Sequence, residues 1–186
     1  MKKFLVLVLT FLFAVSIAGC SGEKNTDPVP PVEPEEEEQE TSEVESVVYL
    51  YFGTEEGYLR KEARTISGLP TAERGRELIE ELIKGSQAED DTLDVIPKGT
   101  EILNYTYVEE EGLAIVDLSE HIHGATGSMG ELLAVYGIVN TLTELPGIEK
   151  VKILVEGEEV ETISGHIYLR DPLTRDEYLL EENMMK

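Results

Sequence analysis

The sequence predicts an α+β domain over residues 47–186, in which a small mixed or antiparallel sheet carries two helices packed on one face. Three observations predict this class. Two stretches rich in β-branched and aromatic residues each turn back on themselves, two others carry apolar residues at helical spacing, and an apolar strand follows the second helix. The predicted order is β-β-α-β-β-α-β. These 140 residues are enough to bury one hydrophobic core.

The first half of the domain is predicted as a hairpin followed by a helix. Val47–Gly53 is β-branched and aromatic, and Tyr58–Ile66 returns after a turn with partial alternation. Thr71 stands where a helix N-cap is expected, and Lys84-Gly85 is a typical helix end. Between them the apolar residues recur at helical spacing, at Leu78, Ile79, Leu82 and Ile83.

The second half begins with another hairpin and helix. Glu101–Glu110 alternates, and Leu113–Ser119 returns after a turn as a more apolar strand. Ser128–Glu131 matches the S-x-x-E capping box, in which Ser and Glu each bind a free backbone N–H at the helix start. The apolar residues behind it keep helical spacing, at Leu132, Val135, Tyr136, Val139 and Leu142.

The end of the chain is less patterned. Val151–Glu156 predicts a central strand, and a further strand over Glu159–Ser164 stays open. No element is predicted for His166–Lys186.

The N-terminus has the features of an export signal. Two lysines precede an apolar run from Phe4 to Ile17, which is short for a membrane span of about 20 residues. Ile17-Ala18-Gly19-Cys20 resembles a bacterial lipobox, which implies a signal peptide over residues 1–19 and lipidation of Cys20; an ordinary secreted protein is the alternative. Two acyl chains would give stable anchoring at the outer face of the cell membrane. Cys20 is the only cysteine, so a disulfide within the chain is excluded.

The segment after Cys20 is predicted to be a disordered tether. Residues 20–46 are rich in proline and glutamate and lack apolar periodicity, so they bury too little area to offset the entropy of ordering. Of the chain's 39 acidic and 15 basic residues, 10 and three precede residue 47, which leaves 29 and 12 and a domain charge near −17. This charge argues against binding to nucleic acid or to anionic lipid through a basic face.

Asp117–His123 is the segment that comes nearest to a catalytic or metal site. In an extended chain His121 and His123 would share a face and could hold zinc with Asp117 or Glu120, although His166 is the only other histidine. The motifs H-E-x-x-H and G-x-S-x-G are absent. We therefore expect a loop that enters a capped helix, with no catalytic, cofactor-binding or metal-binding residue. The alternative is a metal-dependent or cell-wall-modifying enzyme that uses this segment.

A second acidic segment, Glu89–Asp94, resembles a calcium loop only superficially. It lacks the central glycine and the distal glutamate of an EF-hand, so calcium binding is not expected there.

Five stretches in register resemble the GerMN domain, a family named for bacterial sporulation and spore germination proteins. They are E-L-I-K-G, I-P-K-G-T, A-I-V-D-L-S, I-V-N-T-L-T-E-L-P-G and V-K-I-L-V-E-G, and the resemblance covers roughly Val48 to Arg175. It implies an exported lipoprotein with a small α/β domain that acts as a non-catalytic binding or assembly module. The single copy here departs from the tandem layout of the spore protein and puts a spore-specific role in doubt.

The expected partners follow from these features. The N-terminal lipid would bind the membrane, and the domain would bind another envelope protein or the cell wall. Self-association is less favoured, because copies with a charge near −17 repel one another.

Overall fold

The computed structural model describes residues 45–88 and 92–184. The predicted signal peptide, Cys20 and all but the last two residues of the predicted tether lie outside the described residues, as do the first three residues of Glu89–Asp94. No helix in the described part of the chain is long and apolar enough to cross a membrane.

The first sheet contains the predicted N-terminal hairpin. Strand β1 (Glu45–Thr54) pairs antiparallel with β2 (Leu59–Ser67) along its length and with the short strand β3 (Thr92–Leu93) only at its end. The strand order is β2-β1-β3. The predicted hairpin is thus confirmed, and its turn includes Gly57, whose φ of 85° is readily adopted by glycine.

The second sheet is mixed. Its strands are β4 (Ile102–Val108), β5 (Leu113–Leu118), β6 (Lys150–Val155) and β7 (Leu173–Thr174), in the order β4-β5-β6-β7. The predicted second hairpin is confirmed as β4 and β5, and the predicted central strand as β6. Strands β5 and β6 are parallel, so the chain needs a long crossover between them.

Two helices pack against these sheets. Helix α1 (Gly75–Lys84) follows a 3₁₀ turn at Ala72–Arg74 and contacts β1, β4 and the second helix, α2 (Gly127–Leu142). Helix α2 is the crossover between β5 and β6, and it contacts β1, β6 and β7. It is buried on nearly every side, because it lies against both sheets. The α+β class with two main packed helices is therefore confirmed.

The strands differ from the expectation in forming two sheets rather than one, and the position of α2 explains the division. The backbone N–H of Tyr51 in the middle of β1 donates to the Thr141 hydroxyl of α2 at 3.1 Å. A Cβ added at Gly137 of α2 would lie 3.1 Å from the Tyr51 carbonyl oxygen. The helix thus occupies the edge of β1 where a further strand would otherwise pair.

The C-terminal region contains elements that the sequence pattern does not predict. The open strand over Glu159–Ser164 does not form, although Leu169 donates a backbone hydrogen bond to Glu161 at 2.9 Å. Strand β7 and a short helix, α3 (Glu181–Met184), lie in the region for which no element is predicted. Leu180, just before α3, is almost fully buried in the core.

Candidate functional site

The polar residues at the end of β5 hold neighbouring chain segments in place. The Asp117 carboxylate accepts the backbone N–H of Gly157 at 2.8 Å. Ser119 and Glu101 exchange two bonds: the Ser119 hydroxyl accepts the Glu101 N–H at 3.0 Å, and the Glu101 carbonyl accepts the Ser119 N–H at 2.9 Å. Both Asp117 and Ser119 are buried. These side chains fix the end of β5 to the segments on either side of it.

The two histidines do not share a face, because Glu120–Gly124 forms a 3₁₀ helix instead of an extended segment. At three residues per turn, side chains two positions apart point in directions about 120° apart. Ile122 between them is fully buried, and Nδ1 of His123 lies 2.6 Å from the Ile163 carbonyl oxygen. The extended geometry that the zinc alternative requires is therefore not formed.

Among residues 45–88 and 92–184, no group of three or more His, Cys, Asp or Glu side chains is placed to hold a metal ion. Asp117, one of the two further ligands that the zinc alternative would use, accepts a hydrogen bond from Gly157. The backbone N–H of Glu120 donates to the Glu156 carboxylate at 2.8 Å, which closes this loop against the end of β6.

The capping box predicted for Ser128 and Glu131 is wrong. The N-cap residue of α2 is Thr126, two residues before Ser128, and it makes no side-chain capping bond. Glu131 is fully buried. Its carboxylate accepts the backbone N–H groups of a separate loop, at 2.8 Å from Ile163, 2.9 Å from Ser164 and 2.7 Å from His166.

The environment of Glu131 favours its ionised form. Burial by itself raises the pKa of a carboxyl group, but the backbone N–H donors outweigh it and lower the pKa of Glu131. The same loop is held a second time, because the Ser164 hydroxyl donates to the Ala125 carbonyl oxygen at 2.6 Å. The loop that contains Ile163–His166 is therefore fixed to the start of α2.

The spacing of the apolar residues in α2 indicates that Glu131 is buried, which the capping-box interpretation missed. Glu131 precedes Ala134, Val135 and Ile138 by three, four and seven residues, so it belongs to the buried face of the helix. An acidic residue on such a face requires internal hydrogen-bond donors.

A second polar cluster fixes the C-terminal segment to β1 and α2. The Arg175 guanidinium lies 4.9 Å from the centre of the Tyr51 ring and 2.9 Å from the Glu144 carboxylate. The Tyr51 hydroxyl donates to Glu144 at 2.6 Å, and burial together with this bond raises the pKa of Tyr51. Asn140 and Asp176 exchange two hydrogen bonds of 3.0 Å. We call Tyr51, Asn140, Glu144, Arg175 and Asp176 the Arg175 clasp.

The chain beyond the clasp covers the start of the edge strand β2. The Leu59 N–H donates to the Leu179 carbonyl oxygen at 2.7 Å. Arg60 makes two bonds to the Glu181 carboxylate, of 2.6 and 2.7 Å. The clasp and this contact leave the C-terminal segment packed on the domain.

Comparisons with known proteins agree with this architecture. The family described as "Germane: Sporulation and spore germination" matches residues 49–161. Comparison with curated proteins gives no match.

Solved structures that share the fold include two from Bacillus subtilis. The first GerMN domain of the sporulation protein GerM is 24% identical, with a TM-score of 0.57, over 70% of this chain and 98% of that one. The tandem GerMN domains of GerM are 23% identical, with a TM-score of 0.57, over 70% of this chain and 46% of that one.

A third structure, "Putative Lipoprotein from Clostridium perfringens", is 24% identical with a TM-score of 0.52, over 71% of this chain and 87% of that one. At these identities the structures show a shared fold. The family match spans more than half of the chain. The chain therefore belongs to the Germane family of sporulation and spore germination, whose domain is GerMN.

Proposed function

We propose that this protein is a lipoprotein anchored through Cys20 at the outer face of the cell membrane, and that its single GerMN domain is a non-catalytic binding or assembly module of the cell envelope. The observation that carries the proposal is the family match over residues 49–161. The family's description, sporulation and spore germination, supports a role in one of these two processes.

The anchor rests on the sequence. Ile17-Ala18-Gly19-Cys20 follows a short basic and apolar leader, and the chain has no other cysteine. The segment from Ser21 to Val44 would act as a spacer that lifts the domain off the membrane. Its length allows a reach of roughly 70 Å, at about 3 Å per residue for a proline-rich chain.

The use of polar groups in the domain supports binding over catalysis. Asp117, Ser119 and His123 engage backbone groups of other segments, so they serve to hold loops. A catalytic group must be within hydrogen-bond reach of a substrate, as well as suitably ionised. The charge near −17 favours a partner protein that presents basic residues.

The proposal is tested in the host organism with three strains: one that lacks the gene, one with Cys20→Ser and one with Asp117→Asn. We expect the first two to give fewer heat-resistant spores or slower germination, since both remove the domain from the membrane. Asp117→Asn keeps an acceptor for the Gly157 N–H and should behave like the wild type.

Two outcomes contradict the proposal. If the deletion strain sporulates and germinates normally, the assignment to these processes is wrong. If Asp117→Asn reproduces the deletion at a normal protein level, chemistry at this carboxylate becomes the better explanation.

A further inference from the structure

A concave surface runs beside the first turns of α2. On one side of Met129 lies a depression of about 450 Å³, lined mainly by apolar residues that include Leu93, Val95, Ile96, Ala125 and Leu133. Pockets that hold small ligands have volumes of about 300–1,000 Å³. The depression is therefore large enough to take side chains of another molecule.

A second depression lies on the other side of Met129. Its volume is about 430 Å³, and it is lined by the β1–β2 turn at Glu56 and Gly57, by Leu132, and by the loop residue Ile167. The hydrogen bonds of Glu131 to residues 163–166 hold that loop in place. The loop wall of the second depression is thus held in place.

Met129 separates the two depressions and is itself open to solvent, with 49% of its surface exposed. Leu93, on the wall of the first depression, is 41% exposed. Methionine side chains are flexible and polarisable, and they adapt to the shape of an incoming apolar group. We call the two depressions with Met129 between them the Met129 groove.

The charged residues that line the groove are acidic. Asp94 lines the first depression and Glu56 the second, and no Lys or Arg among residues 45–88 and 92–184 lines either one. Asp94 also accepts the Ser86 N–H at 2.9 Å. Because a carboxylate can accept several hydrogen bonds, Asp94 can still accept further donors. An apolar groove with an acidic residue in each half fits a segment that carries apolar and basic side chains.

We propose that the Met129 groove binds a short segment of a partner protein in which apolar side chains stand next to Lys or Arg. The apolar side chains enter the two depressions, and the basic ones face Asp94 and Glu56. A second copy of this chain fits poorly, because each domain carries a charge near −17. The inference rests on the proposed function and adds to it the surface and the chemistry of the partner.

The experiment places the photo-crosslinking residue p-benzoylphenylalanine in the full chain in living cells, at position 129 or, as a control, at position 69. Leu69 is 66% exposed and follows the far end of β2. That end is roughly 25–30 Å along the strand from the Gly57 turn, which Met129 adjoins. The crosslinked peptide is then identified by mass spectrometry.

We expect position 129 to capture a different envelope protein through a segment that contains apolar residues and Lys or Arg. Glu56→Lys combined with Asp94→Asn should lower the crosslinked yield by about tenfold, since both groove charges then cease to attract the partner. The control variant, Glu110→Lys with Asp171→Asn, makes the same change in charge at exposed positions outside the groove. It should retain most of the crosslinked yield of the unsubstituted protein.

The outcomes separate this inference from the proposed function. Capture of another protein at position 69 but not at position 129 overturns the groove and leaves the binding function standing. Three other results at position 129 also contradict the proposed groove. They are capture of a second copy of this chain, capture of a segment without basic residues, and a crosslinked yield that does not change when Glu56 and Asp94 are replaced. Failure of both positions to capture any other protein contradicts the groove, and it contradicts the binding function as well if the deletion strain sporulates and germinates normally.

Discussion

The carboxylate of Glu131 lies 2.8 Å from the backbone nitrogen of Ile163, 32 residues further along the chain. The same carboxylate also accepts N–H groups from Ser164 and His166, so one side chain of α2 fixes the loop after β6. That loop forms one wall of the Met129 groove, through Ile167. The position of this loop therefore depends on the buried carboxylate of Glu131.

Replacing Glu131 should destabilise the fold strongly. Glu131→Ala leaves three backbone N–H groups without their acceptor, and we expect a loss of about 3–4 kcal/mol in the free energy of unfolding. Glu131→Gln keeps an acceptor oxygen and should lose about half as much. Urea unfolding of both variants checks this. A loss below about 1 kcal/mol for Glu131→Ala would show that the loop is held by other contacts.

The same carboxylate predicts a pH dependence of stability. The folded-state pKa of Glu131 is lowered, whereas the pKa of a glutamate in an unfolded chain is about 4.3. The stabilisation is therefore complete above the unfolded value and is lost as the pH falls through the folded value. The gap in melting temperature between the wild type and Glu131→Gln should narrow from pH 6 to pH 3. A gap that stays constant would mean that ionisation of Glu131 adds nothing.

The Arg175 clasp should hold the C-terminal segment to the domain. Arg175→Ala removes the ion pair with Glu144 and the contact with the Tyr51 ring, both partly buried. We expect a loss of about 1–2 kcal/mol and faster amide hydrogen exchange in residues 176–184. Arg170→Ala is the matched control, because its pair with Glu161 is exposed and 3.9 Å long. Equal effects of the two changes would contradict the role of the clasp.

The contact between α2 and β1 predicts opposite effects for two glycines of the same helix. A Cβ at Gly137 would lie 2.8 Å from the Val95 side chain, whereas at Gly130 its nearest neighbour would be 3.5 Å away. Gly137→Ala should cost about 1–3 kcal/mol through overpacking. Gly130→Ala should be neutral or stabilise by up to about 1 kcal/mol, because alanine favours the helix. Thermal unfolding of both variants compares them, and a stable Gly137→Ala protein would show that α2 can move away from β1.

The parts of the fold that depend on local pattern could be predicted from the sequence. The hairpin of β1 and β2 and the buried stripe of α1 follow from residue type and spacing. The division into two sheets could not, because it depends on where α2 meets β1 through Tyr51 and Thr141. Sequence spacing carries no information on that distant contact.

In the candidate site, too, contacts between distant residues could not be predicted from local spacing. The pattern around His121 and His123 predicts a loop, but it does not predict that the loop forms a 3₁₀ turn with Ile122 buried. The position of Glu131 fits both a capping residue and a residue on the buried face of α2. Only its contact with the loop at Ile163 shows which of the two is correct. The C-terminal segment forms little regular secondary structure, and contacts such as those of Arg175, which connect it to distant residues, are not visible in local spacing.

The central claim is that the domain is attached to the membrane through Cys20. Mass spectrometry of the N-terminal peptide, together with detergent phase partitioning of the wild type and Cys20→Ser, tests it most directly. We predict a mature chain that begins at a diacylated Cys20 and enters the detergent phase, while Cys20→Ser stays in the aqueous phase. An unmodified Cys20, or equal partitioning of the two proteins, would contradict the account.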